Sequence, residues 1–385
     1  MAEFNPKNAT PHCELVFEGD WPTSVAFLGS GQRLAAGNRD GVLLVWDLPE
    51  QPAKEPPPPV RQLVGHANGI NRLAVTDDGK TLISASHDRS VRLWDPTAEA
   101  TGSAEIVIDR EQRERDAKKN PKGDALTKPG VKVATQQPQH TFAHRDWVHG
   151  VGLSRDQKRL ITGDDTGLVT VLDLASRKEV AKWNGNPGNW ITSVALSPDG
   201  QTAFVGEFCA PRGSFDRPPA QARLYDVATG QEKLDFLKIL YPNVKVRDNS
   251  YGYATTWSPF VAQGLIAAEF SPDGKLLALG QGGEVGTGKV HIMDVATGKL
   301  LRSISGHQSG LCDLTFSADG KYILSVGRDT LLRICQVDDG KEVAQLGKGR
   351  GGQFKDWLHA VALSPDQQWI AAADIAGRVL VWKLS

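Results

Sequence analysis

The chain has 385 residues, a formal net charge of −1 at pH 7 and four cysteines. This near-neutral charge gives no overall attraction for nucleic acid or for an anionic membrane surface, and it argues against both as partners. The cysteines share no spacing typical of a metal site or a disulfide framework, which favours a reducing compartment. Residues 1–12 lack the basic and apolar regions of a signal peptide, and no apolar stretch is long enough to cross a bilayer, so we expect a cytoplasmic protein.

Short apolar runs rich in Val, Ile, Leu, Thr and Trp alternate with Gly, Asp and Pro along the chain. Such runs are typical of β-strands, and helical periodicity is almost absent. Residues 63–95 contain one full unit, with a Gly65-His66 pair, three apolar runs separated by turns, and a final Trp94-Asp95 pair. The rest of the chain repeats this unit, which predicts an all-β repeat fold.

Two landmarks give the number of units. The turn between the first two runs recurs seven times, at 28–32, 76–80, 154–158, 197–201, 271–275, 317–321 and 364–368. Asp-Gly in four of these turns supplies the positive φ of a tight hairpin. The third run also ends seven times, at Trp46-Asp47, Trp94-Asp95, Leu172-Asp173, Tyr225-Asp226, Met293-Asp294, Cys335-Gln336 and Trp382-Lys383.

With these Gly-His and Trp-Asp pairs at this spacing, the chain resembles the WD40-repeat β-propeller family from residue 13 to residue 385, and its SPDGK turns resemble bacterial members most. The resemblance implies an all-β, seven-bladed propeller at 13–385 after an N-terminal tail at 1–12. In the family, each repeat begins with the outer strand of the preceding blade. We therefore expect residues 13–17 to pair with the last strand, at 379–382, and to close the ring.

The family's buried tetrad of His, Ser or Thr, Asp and Trp is complete only in the second unit. Its members there are His66, Asp88, Trp94 and either Ser84 or Ser86. The sixth unit keeps three members and has Cys335 for the Trp, the three being His307, Asp329 and Ser325. The third unit keeps His144 but has Thr166 and Leu172 at the Asp and Trp positions. The resemblance implies a hydrogen-bonded core network at these residues, in preference to a catalytic or metal site.

Three long insertions interrupt the repeat. Residues 97–138 form a polar insert whose charges nearly balance, and we interpret it as a solvated or disordered loop in preference to a docking arm. The inserts at 207–221 and 241–263 fall in connections that the family places on its top face. The second of them contains Trp257 and three of the five tyrosines of the chain, so it either packs on the propeller or meets a partner.

The sequence contains only incomplete motifs for phosphate binding and metal binding. Residues 283–290 resemble a phosphate-binding loop, but Val290 stands at the Ser/Thr position and a strand follows where a helix is needed. His144, Asp146 and His149 are close in sequence, but His144 already fills the tetrad position, and no third or fourth metal ligand is evident. The sequence therefore predicts no metal, no cofactor and no catalytic residue.

The predicted first strands, which line the central channel in the family, are mostly small and apolar. Arg72, Glu269 and Asp313 are the exceptions, and they are too few to favour a catalytic centre. An alternative function nevertheless stays open, namely a propeller enzyme or a small-ligand binder that works at the mouth of the channel.

A tryptophan recurs just before the first strand in four units, at Trp21, Trp147, Trp190 and Trp357. The resemblance places these positions on the top face, where partners usually bind, and tryptophan is over-represented at interface hot spots. Two interpretations stay open: the indoles contact a partner, or each one covers the core of its own blade.

We predict a non-enzymatic scaffold that is monomeric on its own and binds other proteins or peptides mainly through the top face. The predicted partner-binding residues are Trp21, Trp147, Trp190, Trp357, Tyr251, Tyr253, Trp257 and Arg350.

Overall fold

The computed structural model describes residues 4–17, 20–29, 31–106, 130–186, 189–209, 221–240, 265–282, 288–347 and 357–384. Nearly all regular structure in these residues is β. The helical elements are a 3-10 turn, Pro6–Asn8, and a short helix, α1, Phe236–Leu240. No helix in the described part of the chain is long and apolar enough to cross a membrane.

The strands are numbered in chain order: β1 Ala9–Val16, β2 Pro22–Leu28, β3 Arg33–Asn38, β4 Leu43–Asp47, β5 Arg61–Leu63, β6 Ile70–Val75, β7 Leu82–Ser86, β8 Ser90–Trp94, β9 Gly102–Ile106, β10 Val131–Gln136, β11 His140–Ala143, β12 Val148–Leu153, β13 Arg159–Asp164, β14 Leu168–Asp173, β15 Lys178–Asn184, β16 Asn189–Leu196, β17 Thr202–Cys209, β18 Ala222–Asp226, β19 Glu232–Asp235, β20 Leu265–Phe270, β21 Leu276–Gln281, β22 Lys289–Asp294, β23 Leu300–Ser305, β24 Leu311–Phe316, β25 Tyr322–Gly327, β26 Leu331–Gln336, β27 Glu342–Gly347, β28 Leu358–Leu363, β29 Trp369–Asp374 and β30 Arg378–Leu384.

These strands form seven sheets, which we call blades 1 to 7. Their first strands are β2, β6, β12, β16, β20, β24 and β28. Each of these contacts the first strand of the next blade, and β28 contacts β2, so the seven strands make a closed ring. Apolar clusters fill the spaces between blades, as expected for sheets that bury both faces. The predicted seven-bladed, all-β propeller is confirmed.

The ring closes through the N-terminal strand. β1 pairs antiparallel with β30, from Ala9 opposite Leu384 to Val16 opposite Arg378, and the register shifts once between Pro11 and Cys13. This confirms the predicted closure of the ring by an N-terminal strand. The pairing also protects the edge of β30, which would otherwise be open to other chains.

The N-terminal segment differs from the predicted tail at 1–12. The closing strand begins at Ala9, and the Phe4 side chain is only 3% exposed. The ring of Phe4 lies 5.3 Å from the ring of Tyr322 in a cluster between blades 6 and 7. An aromatic side chain that finds such an apolar site loses its contact with water, which holds the segment against the propeller.

The turns between the first and second strands of blades 2 to 7 repeat one local motif. The hydroxyl at the first position donates to the Asp two residues later, as Ser197 does to Asp199 at 2.6 Å. Gln157 and Gln367 stand where other units have Gly, and both adopt a φ of +59°. Their amide oxygens accept hydrogen bonds from the turn of the neighbouring blade, which offsets part of the conformational cost.

The polar insert at 97–138 is partly folded. Its two ends, β9 and β10, form an antiparallel hairpin, and β10 pairs in parallel with β5 at the outer edge of blade 1. The interpretation of the whole insert as a solvated loop is therefore wrong for these ends, because their backbone groups pair and Val133 is buried. Residues 107–129 lie outside the described residues.

Closure can be tested at Leu15, which lies on β1 with 0% of its surface exposed. We expect Leu15→Ala to lower the free energy of unfolding by about 2–5 kcal/mol, because it leaves a cavity between β1 and the core. Glu14→Ala is the matched control, since the Glu14 ion pair with Arg378 is exposed and contributes about 1 kcal/mol or less. Denaturant titration measures both variants. Similar losses for the two would contradict a closing strand buried through Leu15.

Candidate functional site

A hydrogen-bonded chain runs through the core of blade 2. His66 Nδ1 lies 2.8 Å from Asp88 Oδ2, and His66 Nε2 lies 2.6 Å from Ser84 Oγ. The Trp94 indole N–H donates to the same hydroxyl oxygen at 2.8 Å. Since Trp can only donate and a carboxylate only accepts, every member is satisfied in one direction along the chain. Ser84 is therefore the hydroxyl of this tetrad.

Ser86, the other predicted hydroxyl, has a separate role at the same blade. Its Oγ donates to the carbonyl of Asn68 at 2.9 Å and accepts the backbone N–H of Asp88 at 3.0 Å. Burial alone would raise the pKa of Asp88, but hydrogen bonds from His66 and Ser90 hold it below its usual range. Burial lowers the pKa of His66, which the bond to Asp88 opposes in part. These contacts describe a structural network with no group free to react.

Blades 6 and 3 contain reduced forms of the network. His307 lies 2.8 Å from both Asp329 Oδ1 and Ser325 Oγ, while the buried Cys335 stands at the Trp position. In blade 3, His144 Nδ1 lies 3.5 Å from Oδ2 of Asp164, an acid at the end of β13 that was not among the predicted tetrad residues. The sequence contains a signal for this acid, because Asp164 directly precedes the turn in which Thr166 stands at the usual Asp position.

Two kinds of connection meet on one side of the ring, which we call the top face. They lead into the first strand of each blade or join its second and third strands. Backbone hydrogen bonds link the two kinds within a blade, as from Arg39 to Trp21 at 3.3 Å and from Asp165 to Trp147 at 3.0 Å. Trp21, Trp147 and Trp357 therefore stand beside the residue that follows the second strand of their blade, whereas Trp190 lies within β16, opposite Phe208.

The top of blades 2 to 4 carries a continuous aromatic path. The Trp147 side chain is 38% exposed, and its ring lies 4.5 Å from the ring of His87. His87 Nε2 lies 3.5 Å from His149 Nδ1, and His149 Nε2 lies 2.9 Å from Asp165 Oδ1. Further along, His149 stacks on Trp190 at 6.3 Å. Burial, followed by the nearby His149 and Arg39, lowers the pKa of His87 to about 4, so its ring is neutral at pH 7.

The top of blades 6, 7 and 1 carries two arginine–tryptophan pairs. The Arg39 guanidinium lies 4.9 Å from the Trp21 ring, and the Arg328 guanidinium lies 4.7 Å from the Trp357 ring. His359 lies edge-on to Trp21 at 6.3 Å. Cation–π contacts of this kind hold both partners in a fixed orientation.

The histidine and arginine partners of these tryptophans were not predicted from the sequence. The available signals were the Trp-x-His spacing at 147–149 and 357–359 and the position directly after the second strand, occupied by Arg39, His87 and Arg328. Tyr251, Tyr253, Trp257 and Arg350 lie outside the described residues, so they stay predictions.

Comparisons with known proteins agree with this architecture. The family described as WD domain, G-beta repeat matches residues 11–47, 57–95 and 298–335. Together with the seven-bladed ring, these matches decide the assignment.

The chain is a WD40-repeat β-propeller protein.

Several named proteins are similar to this WD40 propeller. Human "WD repeat and SOCS box-containing protein 1" is 33% identical over 116 residues, 30% of this chain and 26% of the relative. "Guanine nucleotide-binding protein subunit beta" of Nicotiana tabacum is 24% identical over 324 residues, 82% of this chain and 69% of the relative. "Transcription factor unc-37" of Caenorhabditis elegans is 24% identical over 258 residues, 64% and 35% of the two chains. This chain therefore spans about a quarter of the length of the first of these relatives.

The central channel of the WD40 propeller is crossed by an ion pair. Arg72 of blade 2 lies 2.7 Å from Asp313 of blade 6. The second carboxylate oxygen of Asp313 accepts the backbone N–H of Val361, in blade 7, at 3.0 Å. Both charges are thus engaged within the protein, which does not favour a catalytic or ligand-binding role for them.

Glu269 is a second acid of the channel. Burial raises its pKa to about 7, and a hydrogen bond from Thr315 opposes the shift in part. Among the described residues, no group of three or more His, Cys, Asp or Glu side chains is arranged to hold a metal ion. Burial also raises the pKa of the Cys13 and Cys312 thiols to about 12, so neither forms a thiolate nucleophile near pH 7.

The tetrad predicts a ranking of stabilities. We expect His66→Ala to cost about 1–3 kcal/mol of unfolding free energy, because the buried Ser84 hydroxyl loses its acceptor and the buried Asp88 carboxylate loses one of its donors. His307→Ala is the matched variant, and its cost should be smaller because Cys335 already shortens that network. Denaturant titrations of the two variants measure the difference, and equal losses would contradict the ranking.

Glu269 predicts a pH-dependent stability. Its folded pKa of about 7 exceeds the reference value of 4.5, so the folded state binds more protons between these values and loses stability as the pH rises through them. We expect Glu269→Gln to raise the melting temperature at pH 8 and to change it little at pH 5. Glu179→Gln, on an exposed ion pair, is the control. An equal effect at both pH values would show that ionisation of Glu269 is not the cause.

Proposed function

We propose that this WD40 propeller is a non-enzymatic scaffold that binds other proteins or peptides through its top face. The observation that carries the proposal is Trp147, a large aromatic side chain that stands 38% exposed on this face. Solvent-exposed tryptophan is costly to leave in water and is enriched among residues that dominate binding energy.

The surroundings of Trp147 support a role in recognition. His87 packs against one side of its ring, which limits the conformations that binding would have to restrict. Trp190 continues the aromatic path towards blade 4, and its ring lies 5.7 Å from Phe208. Trp21 and Trp357 are paired with arginines, which places apolar surface and positive charge side by side. A partner that combines apolar and acidic side chains fits this arrangement.

The relatives agree with a role in assembly. One is named as the β subunit of a guanine nucleotide-binding protein, and another as a protein that contains WD repeats and a SOCS box. We further propose a monomer in the cytoplasm. Free thiols at Cys13, Cys312 and Cys335 suit a reducing compartment, and the paired edge of β30 leaves no open strand at the junction of the first and last blades.

The test uses Trp147→Ala and a matched control, Val180→Ala. Val180 is 46% exposed on the outer strand of the same blade, away from the top face. Partners captured from a lysate by the wild type are identified by mass spectrometry, and their affinities are then measured for both variants. We expect Trp147→Ala to weaken binding by about 2 kcal/mol and Val180→Ala to leave it unchanged.

Melting temperatures of both variants should match the wild type, because both side chains are exposed. Partners that bind the Trp147→Ala variant as tightly as the wild type would contradict a top-face site centred on this residue.

A further inference from the structure

An open groove lies between blades 5 and 6, on the side opposite to the top face. Its volume is about 460 Å³, and its walls are mainly apolar. Leu276 and Ile292 form the blade 5 wall, Val337 and Tyr322 form the blade 6 wall, and Leu301 stands at the outer rim. The Leu301 side chain is 51% exposed, more than any other large apolar residue in the described part of the chain.

The next junction of the ring shows what such a groove can hold. Between blades 6 and 7, the Phe4 side chain packs into the apolar cluster that contains Ile334, Val343 and Leu384, and its ring contacts Tyr322. The 3-10 turn Pro6–Asn8 then runs along β27 and β30. A short segment with an aromatic residue followed by a proline therefore fills this junction from within the same chain.

The two junctions correspond position by position. Leu276 and Tyr322 both begin the second strand of their blade, directly after the SPDGK and SADGK turns. Strand β23 pairs with β22 as β27 pairs with β26, with the same register shift, so Leu301 corresponds to Val343. The same alignment of strands matches Ile292 with Ile334 and Val337 with Leu384. The groove between blades 5 and 6 thus presents the wall that binds Phe4 one blade further on.

We propose that this groove binds a short segment of a partner protein, which inserts an aromatic side chain between blades 5 and 6. The apolar wall around Leu301 would bury that side chain, as its counterpart buries Phe4. The segment would lie across β23 in the way that residues 4–8 lie across β27. This interface is separate from the top face and does not depend on the tryptophans there.

One difference between the junctions selects the charge of the partner. Arg302 lines the groove at the position that Ala344 occupies in the filled junction. Lys321, the other cation of the groove, pairs with Asp319 at 3.6 Å, whereas Arg302 has no ion-pair partner among the described residues. Asp338 also lines the groove, on the blade 6 wall, whereas Arg302 belongs to blade 5. A partly desolvated arginine favours a carboxylate, so the bound segment carries, on the blade 5 side, an acidic residue next to its aromatic anchor.

The probe for this site is a fluorescein-labelled peptide with the sequence of residues 2–8, Ala-Glu-Phe-Asn-Pro-Lys-Asn, titrated with the full chain and followed by fluorescence anisotropy. We expect saturable binding that is lost when Ala replaces the Phe of the peptide. Leu301→Glu should weaken the binding about tenfold or more, and Arg302→Ala should weaken it less, through the glutamate of the peptide.

Val180→Glu is the matched control, because Val180 has the same position on the outer strand of blade 3 and similar exposure. This variant and Trp147→Ala should both bind the peptide as the wild type does, which separates the groove from the top face. All variants change exposed or rim residues, and equal melting temperatures verify that they fold.

Three outcomes would overturn the proposal. The first is no binding up to about 1 mM peptide. The second is binding that does not need the Phe, and the third is equal binding by the wild type and Leu301→Glu, which would indicate exchange with Phe4 in its own junction. Sedimentation of the full chain tests whether a second copy of this chain occupies the groove. Self-association that Leu301→Glu abolishes would assign the groove to that second copy in place of a partner.

Discussion

The propeller depends on the packing of its seven first strands around one channel. Polar side chains on these strands reach the backbone of the next blade and fix its position. Ser24 accepts the N–H of Leu73 at 2.9 Å, and the Asn71 amide donates to the carbonyl of Val148 at 2.7 Å. Because each first strand has a neighbour on both sides, a shift in the position of one blade displaces the others around the ring. The spacing of residues on the top face therefore follows from contacts around the channel.

Local sequence patterns were sufficient for the repeating part of the fold. The apolar runs, the Asp-containing turns and the ends of the third strands located the blades, and the tetrad of blade 2 has the geometry implied by the resemblance. These features depend on contacts within one hairpin or one blade. Strand period and turn chemistry specify such contacts directly.

Features that depend on contacts between blades were not predictable in the same way. Phe4 is one apolar residue in a polar stretch, and only the assembled junction of blades 6 and 7 gives it a site. The hairpin of β9 and β10 joins blade 1 only through the edge of β5, with which β10 pairs. The association of His87 with Trp147 joins residues from two blades, and only the assembled ring brings their side chains together.

The closing pair of strands also orders events in time. Thr10 and Lys383 are 373 residues apart, and the hydroxyl of Thr10 reaches the carbonyl of Lys383. At about 5–20 residues per second, the ribosome needs about 20–75 s to make the intervening chain. During this interval β1 has emerged but its partner does not yet exist, and Leu15 and Phe17 stay exposed to other nascent chains. The pairing of β1 with β30 is thus the last strand pairing to form during translation. Chaperones that bind short apolar segments would act mainly on β1 during this interval.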